Sequence, residues 1–170
     1  LNTVGRITLF YSDLEVKVED MLKKPERFHS KGAEFELERP LIRDILKLNA
    51  NLSYVNAENQ DTGEYPAQAA DWLANLGLMW RPSRDLLFAL QYRYVDDRKG
   101  KPGQQSPGSY HTMDITANVL NLGFKGLTLS GGVKNLFEAD IRYPSDVTET
   151  REKDLSEPER WWWIKISYKF

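Results

Sequence analysis

The feature that most constrains this chain is alternation of apolar and polar residues with a period of two, which recurs in eight segments of its 170 residues. LKLNANLSY (46–54) sets Leu46, Leu48, Ala50, Leu52 and Tyr54 against Lys47, Asn49, Asn51 and Ser53. Successive side chains of an extended chain point to opposite faces, so this segment is a strand with one dry side and one wet side. WLANLGLMW (72–80) places Trp72, Ala74, Leu76, Leu78 and Trp80 on one face, and LLFALQYRY (86–94) does the same with Leu86, Phe88, Leu90, Tyr92 and Tyr94. The closing segment aligns Trp162, Ile164, Ile166, Tyr168 and Phe170 against Trp161, Trp163, Lys165, Ser167 and Lys169. Segments 5–12, 32–39, 110–119 and 127–135 complete eight predicted strands. No window reaches the ~18 apolar residues of a membrane-spanning helix. A membrane-spanning barrel stays open, because only every second residue of its strands meets lipid.

The connections alternate in length: long (13–31), short (40–45), long (55–71), short (81–85), long (95–109), short (120–126), long (136–159). An up-and-down meander that is tightly turned at one end and elaborated at the other is the pattern of outer-membrane barrels. Pro82-Ser83 and the glycines Gly123 and Gly126 supply turn chemistry for two of the short connections. Keeping dry faces together across 81–85 pairs Trp80 with Leu86, Leu78 with Phe88, Leu76 with Leu90, Ala74 with Tyr92 and Trp72 with Tyr94.

Aromatic residues recur at two heights. Trp72 and Trp80 lie about 26 Å apart along a strand at ~3.3 Å per residue. A tilt of about 40° makes this roughly 20 Å along a barrel axis, close to the ~25 Å apolar band of such proteins. Indole and phenol rings suit the headgroup zone because an apolar body carries one polar edge. Tyr11, Tyr54, Trp72, Trp80, Tyr92, Tyr94 and Trp162 are therefore predicted to form two membrane-interface girdles. A soluble β-protein would instead need the Trp72–Trp80 face buried against a second sheet.

Several stretches resemble the C-terminal barrel portion of TonB-dependent outer-membrane receptors. ITLFYSDLEV and GAEFELERPL resemble two barrel strands of that family, GGVKNLFEADIRYP resembles its Gly-Val-x-Asn-Leu-Phe segment before the last external loop, and DLSEPERWWWIKISYKF resembles its final strand with a terminal phenylalanine. The resemblance covers nearly the whole chain. It implies an all-β antiparallel meander of about eight strands, residues 1–170 being part of a 22-stranded transmembrane β-barrel whose plug, TonB box and first strands lie upstream, in the bacterial outer membrane. The implied role is energy-coupled uptake of a scarce nutrient such as an iron–siderophore complex, haem or cobalamin. The implied partners are outer-membrane lipid, the receptor's own plug, the TonB system, the barrel-assembly machinery and a small nutrient ligand. Ile164, Ile166, Tyr168 and Phe170 resemble the C-terminal assembly signal. A complete eight-stranded barrel with a structural, adhesive or hydrolytic role is the alternative.

The residues suggest neither catalysis, metal binding nor a cofactor. There is no cysteine, and the net charge of −2 with scattered basic residues argues against nucleic acid. His29 and His111 have no metal-ligand spacing, and His111, Asp114 and Ser130 lack a nucleophile motif. ENQDTGE (58–64) lacks the acidic spacing of a calcium loop and reads as a turn around Gly63. Glu34, Glu36 and Glu38 read as a hydrated lumen row, with Glu38 near Lys47 across the short turn. Lys47, Asn49, Asn51, Gln91, Arg93, Asp114, Lys165 and Lys169 continue that wet wall. Arg93, Arg98, Tyr110 and Arg142 are the candidate substrate-binding residues, chosen by their position near the external end. Trp161 and Trp163 fall on the lumen side or above the membrane, where they are expected to pack under the last external loop or on the plug.

Overall fold

Hydrogen bonding joins the predicted strands into one curved antiparallel layer. The structure, a computed structural model, describes residues 2–16, 25–66, 69–98, 106–143 and 155–170. The rest of the predicted long connections lies outside the described residues. The strands are β1 (Val4–Val16), β2 (Glu26–Ile42), β3 (Leu46–Asn59), β4 (Trp72–Trp80), β5 (Leu86–Val95), β6 (Tyr110–Leu120), β7 (Leu127–Lys134) and β10 (Trp161–Tyr168). A two-stranded ribbon, β8 (Arg142–Tyr143) with β9 (Leu155–Ser156), sits in the connection between β7 and β10. The large sheet runs β1-β2-β3-β4-β5-β6-β7-β10, each strand antiparallel to the next.

Pairing keeps the two faces chemically separate across the sheet. One row of partners reads Leu48, Leu78, Leu90, Ile115, Val133 and Trp162 over six strands. A polar row three residues along the strands reads Arg6, Glu36, Asn51, Asn75, Arg93 and Thr112. The apolar row begins at Arg39, opposite Leu48 near the short-turn end of β2, and ends at Trp162 near the long-connection end of β10. Six steps of ~4.8 Å cover about 29 Å, which at the ~40° tilt of a barrel strand climbs roughly 19 Å. A single hydrogen-bonded row thus travels from one water interface to the other.

The apolar face is open to its surroundings. Trp72, Leu76 and Trp80 are 42%, 42% and 46% exposed, and no second sheet covers them among the described residues. The soluble reading therefore fails, because a water-facing layer of this kind would leave a large unburied apolar patch. Nor is the sheet a closed eight-stranded barrel. β1 and β10 occupy its two edges, and no described residue of one pairs with the other.

Two expectations need correction. Trp80 pairs with Phe88, Leu78 with Leu90, Leu76 with Tyr92 and Ala74 with Tyr94, a register two residues from the predicted one. Trp72 lies opposite not Tyr94 but the Asp96 backbone, whose N–H donates to its carbonyl at 2.9 Å. Segregating the faces fixes register only to a multiple of two, and the stagger required by a tilted wall selects the multiple. Leu86 and Leu87 are consequently paired only on the β6 side, with Val119 and Asn118.

The second correction concerns the first long connection. Strand pairing continues to Val16 opposite Glu26, so much of 13–31 is β-ribbon. β3 likewise continues five residues past Tyr54, about 17 Å at strand rise. Tyr11 and Tyr54 thus lie inside their strands rather than at the ends. Above them the outward face turns polar, with Asp13 opposite His29 and Arg27 3.6 Å from Glu15, while Leu14 and Phe28 pair on the other face. Backbone pairing outlasts the outward apolar row because a strand beyond the bilayer no longer meets lipid.

Candidate ligand-facing inner wall

The polar face is held by short side-chain links between neighbouring strands. Arg6 pairs with Glu36 at 3.1 Å, Lys47 with Glu38, and the Asn75 amide donates to Asn51 Oδ1 at 2.8 Å. Ser130 donates to Asn118 at 2.7 Å. The predicted Glu38–Lys47 contact forms diagonally, since Glu38 pairs directly with Asn49 and Lys47 with Pro40, and an extra residue, Leu41, sits between the Pro40 and Ile42 pairs.

Two aromatic rings lie on this face against glycines. A Cβ on Gly32 would lie 2.5 Å from the Phe10 ring, and one on Gly132 would lie 2.9 Å from Trp163 Nε1 and 2.5 Å from the Ile115 carbonyl oxygen. Trp163 is thus accommodated by the missing side chain of its cross-strand partner Gly132.

At the long-connection end of this face is a cavity of about 330 Å³. Arg93 and Gln91 of β5, Tyr110, Thr112 and Asp114 of β6, Lys134 of β7, Glu157 and Trp161 contribute to its lining. The charges are not equally free. Asp114 accepts a hydrogen bond from the Asn135 N–H at 3.0 Å, and Glu157 accepts one from the Tyr143 hydroxyl. Lys134 Nζ stands 5.3 Å from the centroid of the Trp161 ring, a cation–π contact that leaves its N–H donors available. Arg93 has no ion-pair or hydrogen-bond partner among the described residues. Both carboxylates are engaged by the fold while both cations can still donate, so the cavity is suited to an anion.

Behind this cavity lies a small apolar core of Val95, Tyr110 and Ile141, with Ala70, Ala139 and Tyr143 packed on it. It draws together parts of three connections, since Ala70 bridges Arg98 and Ile141 belongs to the last connection. The Arg98 guanidinium lies 4.2 Å from the Tyr143 ring centroid and 5.6 Å from that of Tyr110, and donates to the Tyr110 hydroxyl at 3.1 Å. Burial, then the hydrogen bond to Glu157, push the Tyr143 phenol up to about 12, against a lowering by Arg98. The group is therefore neutral throughout the physiological range and remains a donor. Its contribution to loop stability is present below the ordinary phenol value near ~10 and is lost only as pH rises through about 12.

The Asn-Leu-Phe segment has a structural explanation. Asn135 adopts φ +50°, is 5% exposed, and uses both ends of its amide on Ala139, accepting from its N–H and donating to its carbonyl, each at 2.9 Å. Asparagine tolerates this left-handed conformation and closes the turn that begins the last connection. Arg160, from the Pro-x-Arg segment, pairs with Glu138 at 2.7 Å, so the two most distinctive stretches of the chain meet at the base of that connection.

Of the four candidate substrate residues, Arg93 and Tyr110 share the cavity, Arg98 stands behind Tyr110, and Arg142 is held by Asp140 at 2.9 Å. Lys134, Glu157 and Trp161 were not among those four. Parity places Lys134 and Trp161 on the wet face beside the external end, a signal present in the sequence. The Tyr54 and Trp72 rings lie 4.7 Å apart, centroid to centroid, tilted at 42° to each other towards the long-connection end. Trp80 with Phe88, at 5.3 Å, and Phe124, Tyr168 and Phe170 cluster at the other end. Tyr92 and Tyr94 pair with Met113 and His111 on the apolar face. His111 and Asp114 project from opposite faces, which rules out their acting as one catalytic group. Residues 58–64 form a turn in which Asn59 Oδ1 accepts from the Asp61 and Thr62 N–H groups and Gly63 takes φ +70°.

A tilted single-layer wall with an exposed apolar band, an opposing wet face and one elaborated end defines a transmembrane β-barrel protein. Residues 25–136 match the family model described as TonB dependent receptor-like, beta-barrel, and the chain belongs to that family. Its place is the bacterial outer membrane. The fold is similar to that of the ferric-catecholate import receptor Fiu from K12 E. coli (TM-score 0.75, 14% identity, 99% of this chain and 25% of that one). It is also similar to the FrpB iron transporter from Neisseria meningitidis (0.73, 16%, 99% and 29%) and to the copper transporter OprC (0.68, 19%, 86% and 24%). At these identities the likeness is one of fold, and the chain spans about a quarter of the length of each structure. No curated protein sequence matches the chain.

Proposed function

We propose that the chain forms the last strands and external loops of an outer-membrane active-transport receptor for an anionic iron chelate, with a siderophore complex preferred over haem or cobalamin. The observation that carries this reading is the cavity where Arg93 and Lys134 keep donors free beside the Tyr110 and Trp161 rings, at the external end of the wet wall. Ferric catecholates combine negative charge with aromatic rings and so match both features, whereas cobalamin offers little charge to such a pair. Its role is passage rather than chemistry: the plug and the TonB system supply closure and energy coupling from the remainder of the receptor. Binding to the full-length receptor, followed by intrinsic fluorescence, tests the class. A ferric catecholate is expected to bind more tightly than haem, cobalamin or free copper ion, with affinity falling as salt rises. Preference for haem, for cobalamin or for copper ion would overturn the reading.

The aromatics at the two ends of the apolar face are assigned to the two headgroup zones. The β10 outward row Ile164, Ile166, Tyr168 and Phe170 is assigned to recognition by the barrel-assembly machinery through strand pairing. Phe170 packs edge-on against Tyr168 at 4.9 Å and is otherwise fully exposed, so its removal costs the folded sheet little. The variant Phe170→Ser is therefore expected to lower the assembled receptor in cells about tenfold, an effect consistent with losing one aromatic anchor. Its refolding from urea into vesicles should change by less than a factor of two. Equal losses in both assays would reduce Phe170 to a stability residue.

A further inference from the structure

The two ends of the sheet differ in charge. The segments 13–31, 55–71, 95–109 and 136–159 together hold nineteen acidic and eleven basic residues, whereas the short connections 40–45, 81–85 and 120–126 hold four basic residues and two acidic ones. Every short turn carries an exposed cation: Arg43 after β2, Arg81 and Arg84 after β4, and Lys125 after β6. Neither acid neutralises them effectively. Asp44 lies 3.7 Å from the adjacent Arg43 with both side chains about nine-tenths exposed, where water screens the pair, and Asp85 accepts from the Asn121 amide at 2.7 Å. Arg81, Arg84 and Lys125 make no ion pair with a described residue.

Arg39 adds an outward-facing cation at the same end. It occupies the lipid-side row at its low end, one alternation beyond Leu37, and has no ion-pair partner among the described residues. The ring pair Trp80–Phe88 and the separate group Phe124, Tyr168 and Phe170 lie at that end of the sheet and are assigned to the depth of that interface. A charged side chain on this face is tolerated only where its head reaches the headgroup layer.

We propose that this short-turn rim is a docking surface for anionic phospholipid headgroups of the periplasmic leaflet. The cations are distributed along the rim, one or two per turn, at headgroup depth and beside an aromatic belt. That arrangement fits a ring of separate headgroups, each offering one phosphate, better than a protein that would cover one contiguous patch. Arginine pairs with phosphate through two parallel N–H donors, and four of the five cations are arginine. The proposal is independent of which nutrient the receptor carries, so a failure of the iron-chelate reading leaves it standing.

Native mass spectrometry of the full-length receptor, delipidated and then offered equal phosphatidylglycerol and phosphatidylcholine in neutral detergent, tests it. The parent protein is expected to retain phosphatidylglycerol preferentially. Each juxtamembrane cation is worth about a fivefold change in affinity. The combined Arg39→Gln, Arg43→Gln, Arg81→Gln, Arg84→Gln variant should therefore retain at least ~10-fold less phosphatidylglycerol, with phosphatidylcholine unchanged. Lysine at the same four positions should retain more phosphatidylglycerol than glutamine but less than the parent, because the charge stays while the paired donors are lost. Should the combined glutamine variant fail to assemble, the single variants Arg39→Gln and Arg84→Gln decide, each with an expected loss of about fivefold. Equal retention of the two lipids by the parent, or undiminished phosphatidylglycerol in the glutamine variants, overturns the proposal.

Discussion

Replacing Leu76 by arginine is expected to destabilise the inserted receptor by about 2–4 kcal/mol, the cost of a cationic side chain on the lipid face of a barrel at mid-depth. Leu76 stands midway between Trp72 and Trp80 on β4, so it lies halfway between the interfaces those rings are assigned to mark. Its cross-strand partners on the same face are Ala50 and Tyr92, neither of which carries a charge to neutralise a guanidinium. From mid-depth the side chain is too far from either rim for its head to reach water easily, unlike Arg39 at the low end of its row. The matched control is Gln91→Arg, one strand away on the wet face, with Asp114 opposite. There the added charge meets water and a carboxylate, and the change should stay within about 0.5 kcal/mol. Reversible urea unfolding of the full-length receptor in lipid vesicles measures both. If Gln91→Arg proved the costlier substitution, the faces would be assigned the wrong way round.

That contrast also shows which parts of the fold could be read in advance. The faces could: from β3 to β10 the residues called dry stay on one side through five successive pairings, because lipid on one side and water on the other impose alternation. Register could be read only to parity. The predicted Trp72–Tyr94 partnership failed by two residues because nothing in the 81–85 turn encodes the stagger, a property of the whole barrel's circumference. The ends of β1, β2 and β3 were hidden for a different reason. Once the outward row turns polar, as at Asp13–His29 and Glu15–Arg27, the apolar parity that lipid imposes no longer continues along the strand. For the site, position alone picked out Arg93 and Tyr110, which share one cavity, but it could not foresee that Arg98 would lie against the rings of Tyr110 and Tyr143 or that Asp140 would hold Arg142. The tryptophan triplet resolves into three separate environments. Trp162 faces outward in the apolar row, Trp163 lies over Gly132, and Trp161 lines the cavity under Lys134.

Removing both free cations of that cavity, Arg93→Gln with Lys134→Gln, is expected to weaken binding of a ferric catecholate to the full-length receptor by roughly 10- to 100-fold. A hydrogen bond to a charged partner is worth about 1.5–3 kcal/mol in protected surroundings. Arg93 is exposed on the wall, so water screening places its own share at the low end. Lys134 contributes from above the Trp161 ring, and its loss also removes the cation–π contact that orients the indole. The effect should be steepest at low ionic strength and shrink as salt rises, because the lost interactions are chiefly between charges. Arg6→Gln serves as the comparison. It removes a cation from the same polar face, but one already paired with Glu36 at 3.1 Å on the far strand, and should leave affinity within a factor of two. Fold is monitored by the urea midpoint, which should be unaffected by the double variant since neither residue makes an ion pair with a described residue. Equal weakening by Arg6→Gln would mean that the wall acts through its summed charge. Unchanged affinity in the double variant would mean that the ligand is recognised elsewhere on the receptor.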